Sequence, residues 1–346
     1  MINGITTERN MNQEHLNKIC TLLNLGEPIS VAEKVIGGLL HEIWKVKTTR
    51  GIYAIKKINL AEPLDAKTRQ HYETTEQVAK IFQRHGVATS ISITHNERSL
   101  IDIDNDSYLV FPWIEAQTLA SNIISAAHAL KIAQLVAKMH SLQLQMPGMP
   151  DPGFEVHTND SIKDLVKKSN DQELPFAIQL NENLSSLLTI NEKYQESIPL
   201  LCKTLIVGHR DLDQKNVLWD KNDDPIVIDW ESAALLNPTQ EIITAALDWS
   251  WKSTTIDTAV FDAMINTYQE SGAQIDSSII RAAFYGVLGN MLNWLLYNIK
   301  RSQDTNVSDE ENKMGVEQVN KTMHTMHYLY TQLDQLSNRV GILLKH

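Results

Sequence analysis

Apolar residues recur at helical spacing near the start of the chain, at Leu16, Ile19, Leu22 and Leu23, and predict a short amphipathic helix. The pattern then switches to strands. Val31 to Ile36, Glu42 to Thr48 and Ile52 to Ile58 are rich in β-branched and aromatic residues, and the turn pairs Gly37-Gly38 and Arg50-Gly51 join them as an antiparallel meander. Ala66 to His85 returns to a helical pattern with Val78, Ile81 and Phe82 on one side, and Gly86 supplies a C-terminal stop. Two more strands, Ala88 to Thr94 and Ser107 to Phe111, are predicted to close the unit, with the polar runs Asn96 to Ser99 and Asp102 to Asp106 as turns.

From Trp113 onward the pattern is mostly helical, and Ile132, Leu135, Val136 and Met139 mark a buried face. The change divides the chain into an N-terminal lobe with its leading helix, residues 1–112, and a helical C-terminal lobe, residues 113–346. Met146 to Gly153 reads as a loop, and the polar segment from Asp160 to Glu196 as two helices. Thr204 to Val207, Val217 to Trp219 and Ile226 to Ile228 are short strands, and everything after Pro238 is helical again. Val316, Val319, Met323, Met326, Tyr330 and Leu333 share one helix stripe, which fits a core-packing helix; a coiled-coil dimer seam is the alternative, although fewer than four heptads are clean. The class is α+β, with a small antiparallel sheet in one lobe and a larger, mostly helical second lobe.

Composition narrows this picture. The 346 residues and 42% apolar content suffice for two cores, and the net charge of −11 argues against a nucleic-acid partner, whose footprint would be basic. A cationic ligand is compatible with that charge. Cys20 and Cys202 are far apart and lack metal-type spacing, so neither a disulfide framework nor a zinc site is expected. The N-terminal stretch has no signal-like organisation and no apolar run approaches a membrane span, so a cytoplasmic protein without a membrane partner is expected, as a monomer or weak homodimer.

Chemistry concentrates in Gly208-His209-Arg210-Asp211-Leu212-Asp213-Gln214-Lys215-Asn216, between two strands, followed by Asp229 in Ile228-Asp229-Trp230. Phosphoryl transfer needs a carboxylate that orients the attacking hydroxyl and takes its proton, and oxygen ligands for magnesium on the nucleotide phosphates. Asp211 suits the first role, Asn216 and Asp229 the second. Singly, each is an ordinary turn residue; jointly, at these offsets and between these strands, they mark a catalytic loop. His209 is expected to brace that loop, and His140, His324 and His327 show no ligand pattern.

On these residues the chain resembles the aminoglycoside phosphotransferase and choline kinase-like family, relatives of the protein kinases, whose catalytic loop reads H-R-D-x-x-x-x-N. The resemblance covers most of the chain and implies a two-lobed protein kinase-like fold using ATP, or GTP, with Mg2+. It implies that Lys56, in Tyr53-Ala54-Ile55-Lys56, holds the α- and β-phosphates while Lys57 points to the opposite face, and that Gly37 and Gly38 bring backbone amides to the phosphates. The hinge backbone at Trp113, Ile114 and Glu115 would meet the adenine. A carboxylate partner for Lys56 comes from Glu76 or Glu73, one turn apart on the same helix; Glu76 is the choice. Leu40 stands where many members carry a hydroxyl, so any phosphate contact there is expected from the backbone, and Glu241 stands after Pro238 where they usually carry Asp, so a slightly different nucleotide positioning is expected. No Gly follows Asp229-Trp230 and no Ala-Pro-Glu segment exists, which disfavours a protein substrate.

For the acceptor, Asn290, Asn293, Trp294 and Tyr297 form one polar and aromatic helix face that suits a polyhydroxylated or cationic ligand, or else packs in the core. Glu231, Asp248, Trp249 and Trp251 are further candidates for charge and an aromatic wall. The expected activity is transfer of the γ-phosphate to a hydroxyl of a small molecule, first an aminoglycoside or related antibiotic. A metabolite kinase of choline, homoserine or sugar type and a nucleotide-binding pseudokinase are the alternatives.

Overall fold

The computed structural model describes residues 11–35, 41–58, 64–120, 123–304 and 307–345. In chain order the first elements are α1 (Gln13–Leu22), β1 (Glu33–Val35), β2 (Glu42–Thr48), β3 (Gly51–Lys57), α2 (Ala66–Arg84), β4 (Ile101–Ile103) and β5 (Asp106–Pro112). After them come α3 (Ala126–Ser141), α4 (Asn159–Asp171), α5 (Ala177–Leu201), β6 (Ile206–Gly208), β7 (Val217–Trp219), β8 (Pro225–Val227) and β9 (Ala234–Leu236). The rest are α6 (Pro238–Ser250), β10 (Trp251–Lys252), β11 (Thr255–Ile256), α7 (Thr258–Glu270), α8 (Ile280–Gln303) and α9 (Asp309–Leu343). They form two compact units, one of Met1–Leu119, Pro147–Met149 and Asp211–Ala233, the other of Ala120–Met146, Pro150–Arg210 and Ala234–His346.

The first unit is built on an antiparallel sheet ordered β1-β2-β3-β5-β4. Asn12 caps α1 by accepting from the Glu14 and His15 amides, and the helix buries Leu16 and Ile19 with Trp44, Val46, Ile55, Tyr108 and Val110 on one sheet face. Strand alternation sends the next residue, Lys56, to the other face, opposite Leu109, which packs with Tyr72 of α2. Asp65 caps α2, and the helix stops at Gly86 with φ +79°.

Two expectations are corrected in this unit. Ala88 to Thr94 is not a strand of its own, because its backbone bonds are divided between two neighbours: Ser90 N donates to Val227 O at 3.0 Å, and Ile93 N to Val110 O at 2.7 Å. Ile101–Ile103 forms β4, so the predicted turn shrinks to the residues between Ile103 and Asp106. Asp211–Ala233 belongs here through the β7–β8 hairpin, through reciprocal Gln117–Trp219 backbone bonds, and through Trp230, which stacks on Phe82 at 5.1 Å and donates to Thr89 Oγ1 at 2.6 Å.

In the second unit, α8 lies against α4, α5, α6 and α9, and β6 pairs with β9. The stripe on α9 buries Val319, Met323, Met326 and Leu333 against α8 of the same chain, so the seam is a core contact and not a coiled-coil surface. A short β10–β11 hairpin interrupts the helices expected after Pro238. Among the described residues Ser277–Gln303 is long and apolar enough to cross a membrane, contrary to the sequence expectation; 72% of its apolar window is buried inside, as for a core helix.

Candidate active site

Lys56 is 7% exposed, and a buried ammonium requires compensation. It donates to Asp229 Oδ1 at 2.7 Å and to Glu231 Oε2 at 2.8 Å. Burial by itself lowers the Lys56 pKa; the two carboxylates more than offset this and hold it above its ordinary 10.5. Glu231 shows the converse balance. Burial raises its pKa, but the bond from His41 and the Lys56 charge pull it down to about 2. His41 Nε2 lies 3.1 Å from Glu231 Oε2, and His71 Nε2 is bonded to the Glu231 main-chain oxygen at 2.6 Å. Asp229 takes a left-handed backbone, φ +64°, a conformation that costs energy outside glycine and needs this surrounding lattice to persist.

The lysine's ion-pair partners therefore differ from the sequence choice. Glu76 is buried and accepts from Ser92 N at 3.1 Å; burial raises its pKa, partly offset by that bond and by the Lys56 charge. Glu73 accepts from the Ser99 and Leu100 amides at 2.8 and 3.1 Å. Both glutamates tie α2 to the loop before β4. Lys57 pairs with Asp106 at 2.6 Å.

The loop after Arg210 gathers the other candidates. Asp213 caps the single turn Gln214–Asn216 by accepting from Lys215 N at 2.9 Å. That turn places Asn216, buried at 3% exposure, so that its Nδ2 donates to both Asp211 O and Asp211 Oδ2 at 2.8 Å. Lys215 Nζ lies 3.3 Å from Asp211 Oδ2 and 2.8 Å from Asp213 Oδ2. The Asp211 carboxylate is thus held by two neighbours, Asn216 and Lys215.

In the second unit, Glu241 on α6 accepts from the amides of His209 and Arg210, each at 2.8 Å through Oε1, and pairs through Oε2 with His140 Nε2 at 2.6 Å. His140 Nδ1 meets Tyr268 Oη at 2.8 Å. The residue noted only as a departure from the family pattern holds the start of the candidate catalytic loop, where Arg210 takes φ +67°. His140 and Lys215 were missed as participants; Lys215 carried a signal, its place directly before Asn216.

The remaining candidates are distributed. Gly37 and Gly38 lie outside the described residues, as does Leu40. Trp113 N donates to Ile52 O at 2.9 Å, its ring lies 4.2 Å below Lys45 Nζ, and the exposed Glu115 sits 3.6 Å from the same ammonium. Ile114 is partly buried. On α8, Trp294 and Tyr297 stack at 5.5 Å and are 38% and 49% exposed, so they are not core residues. Asn293 donates to Glu155 O at 2.9 Å, Asn290 is exposed, and Asp248 is partly buried. Trp249 is buried and Trp251 stands edge-on to Tyr328.

Solved structures share this architecture at low sequence identity. A spectinomycin phosphotransferase, in complex with ADP and spectinomycin, is 12% identical with a TM-score of 0.69, covering 92% of this chain and 98% of its own. The choline kinase LicA of Streptococcus pneumoniae is 18% identical with a TM-score of 0.56, covering 89% and 99%. An amicoumacin kinase in complex with AMP-PNP, Ca2+ and Ami is 9% identical with a TM-score of 0.63, covering 90% and 93%. The fold is the α+β, protein kinase-like fold expected from the sequence. No curated protein sequence matches the chain. The sequence model of the phosphotransferase enzyme family, known as APH, matches residues 32–274, well over half of the 346, and the chain belongs to this family of kinases.

Proposed function

We propose that the chain is an ATP-dependent kinase that moves the γ-phosphate to a hydroxyl of a small molecule, with Asp211 as the group that orients the hydroxyl and accepts its proton. The observation that carries the reading is the pairing of a fixed carboxylate, Asp211, with a buried lysine held on Asp229. Lys56 would turn from Asp229 and Glu231 to nucleotide phosphates, which are stronger anionic partners. Asn216 and Asp229 would hold magnesium. Their chemistry fits: both offer hard oxygen donors, and with Nδ2 of Asn216 committed to Asp211, its Oδ1 is on the fork that does not face Asp211. Among the described residues no cluster of three or more His, Cys, Asp or Glu would cage a metal, which accords with an ion that takes most of its ligands from phosphates and water. When bound, the ion neutralises charge on the phosphates; the protein's part is to position and to accept the proton.

For the acceptor, an aminoglycoside or related antibiotic is the first reading. The exposed Trp294–Tyr297 stack and the net charge of −11 favour a ligand with cationic and ring-shaped parts. The same stack keeps a metabolite such as choline as the second reading. The test is ADP formation by the purified protein with spectinomycin, kanamycin, erythromycin, choline, ethanolamine and homoserine. Turnover confined to choline, ethanolamine or homoserine overturns the antibiotic reading. Asp211→Ala should lower kcat by about 10²–10⁴-fold, the usual contribution of a general base. Unchanged turnover would remove Asp211 from the chemistry.

A further inference from the structure

Within the first unit, Asp211 has a charged neighbour beside Asn216 that neither phosphate binding nor metal binding uses. Lys215 Nζ lies 3.3 and 3.4 Å from the two carboxylate oxygens of Asp211, and the ammonium is pinned from behind by Asp213 Oδ2 at 2.8 Å. Asp213 also accepts from Lys215 N, so one side chain fixes both the turn and the head group of this lysine. A long lysine side chain loses rotamer freedom on being held. Here two carboxylates hold a side chain that is half exposed. Burial lowers the Lys215 pKa, yet Asp211 and Asp213 raise it on balance to about 12, so the group is a permanent cation at neutral pH.

We propose that Lys215 is a positioning residue for Asp211: together with Asn216, it holds the carboxylate at the angle from which it takes the acceptor proton. This rests on the kinase reading above. Asn216 Nδ2 fixes Asp211 Oδ2 and the Asp211 main chain, and Lys215 fixes the rotation of the carboxylate that a single amide bond leaves soft. The charge contributes as well. As the acceptor oxygen bonds to the γ-phosphorus and the bond to the bridging oxygen breaks, ADP leaves and the acceptor proton passes to Asp211. Asp211 is then neutral, and Lys215, left with Asp213 as its carboxylate partner, adds more positive potential to the loop than before. A cation whose compensation falls late in the reaction favours the transition state over the bound substrate. Asp213 keeps the ammonium in place throughout.

The test is the turnover of Mg-ATP by the full chain, with water as acceptor and with any acceptor found in the screen, for Lys215→Met, Lys215→Gln and Lys215→Arg. A displaced base costs about 10²-fold. Lys215→Met and Lys215→Gln are expected to lose kcat on about that scale with KM for ATP within about twofold, and Lys215→Arg, which keeps charge and reach, to recover most of it. Because Lys215 acts through Asp211, Lys215→Met placed in the Asp211→Ala background should cost nothing more. An unchanged kcat, a loss carried by KM for ATP, a failure of Lys215→Arg to recover activity, or multiplying losses in the double variant would each overturn the proposal. If Asp211→Ala alone leaves turnover intact, the base assignment fails first and takes this one with it.

Discussion

At the scale of single residues, Glu241 joins three groups that a catalytic loop cannot leave unsatisfied: the amides of His209 and Arg210 and the ring of His140. Burial raises the Glu241 pKa, but the His140 and backbone bonds outweigh it, and the net shift is downward from 4.5. The sign follows from linkage. A carboxylate with a depressed folded-state pKa contributes stability that is complete above its ordinary value and is lost as pH falls through and below about 4.5. Glu241→Gln removes the charge and aims an amide at His140, so it should cost about 1.5–3 kcal/mol at pH 7, the range for hydrogen bonds to charged groups. Urea unfolding from pH 7 to pH 3 checks this: the gap between the two proteins should narrow in acid. An equal gap at both ends would mean that the charge of Glu241 does not matter.

At the scale of elements, α8 shows how packing overrides propensity. Gly289 lies in mid-helix, where Ala is better by about 1 kcal/mol. Yet a Cβ at Gly289 would fall on the Tyr194 ring of α5, and overpacking of this kind costs about 1–3 kcal/mol. Gly289→Ala is therefore expected to destabilise, by about 1–2 kcal/mol, in thermal or urea unfolding; a stabilised variant would show that α5 yields. The same contrast explains what was readable in the chain beforehand. Helices α2 and α3 and strands β2 and β3 were legible because amphipathic period and turn residues are local signals. Ala88 to Thr94 has strand composition but divides its bonds between Val227 and Val110, which no local pattern records. The catalytic loop was legible as letters at fixed offsets, and so was Lys56. Its partner was not: local pattern points to carboxylates on the neighbouring helix, while Asp229 and Glu231 lie 173 and 175 residues away. Glu241 and His140 stayed hidden for the same reason, being 101 residues apart.

At the scale of the whole molecule, the grouping of Asp211–Ala233 with the N-terminal residues has a physical consequence. Lys56, Asp211, Asn216, Asp229 and the hinge at Trp113–Glu115 all belong to one compact unit. The groups proposed to bind the nucleotide and its metal are therefore stabilised by one set of contacts: the β2–β3–β5 strands, the Trp230–Phe82 stack and the β7–β8 hairpin. A ligand that binds only the folded form stabilises it by about 2.7 kcal/mol at a hundredfold excess over Kd. Hydrogen exchange should then slow on adding Mg-ATP, first in β3, residues 113–117 and residues 211–231, and only weakly along α8 and α9. Without magnesium the protection at 211–231 should shrink more than that at β3, because Asn216 and Asp229 are proposed to act through the ion and Lys56 to meet the phosphates directly. Lys56→Met should reverse the order, keeping metal-dependent protection at 211–231 while losing that at β3. It also leaves Asp229 and Glu231 side by side without their cation, so the free variant should exchange faster than wild type in both segments before any ligand is added. Equal protection of the two units by Mg-ATP, or protection indifferent to magnesium, would show that the nucleotide does not rest on these residues.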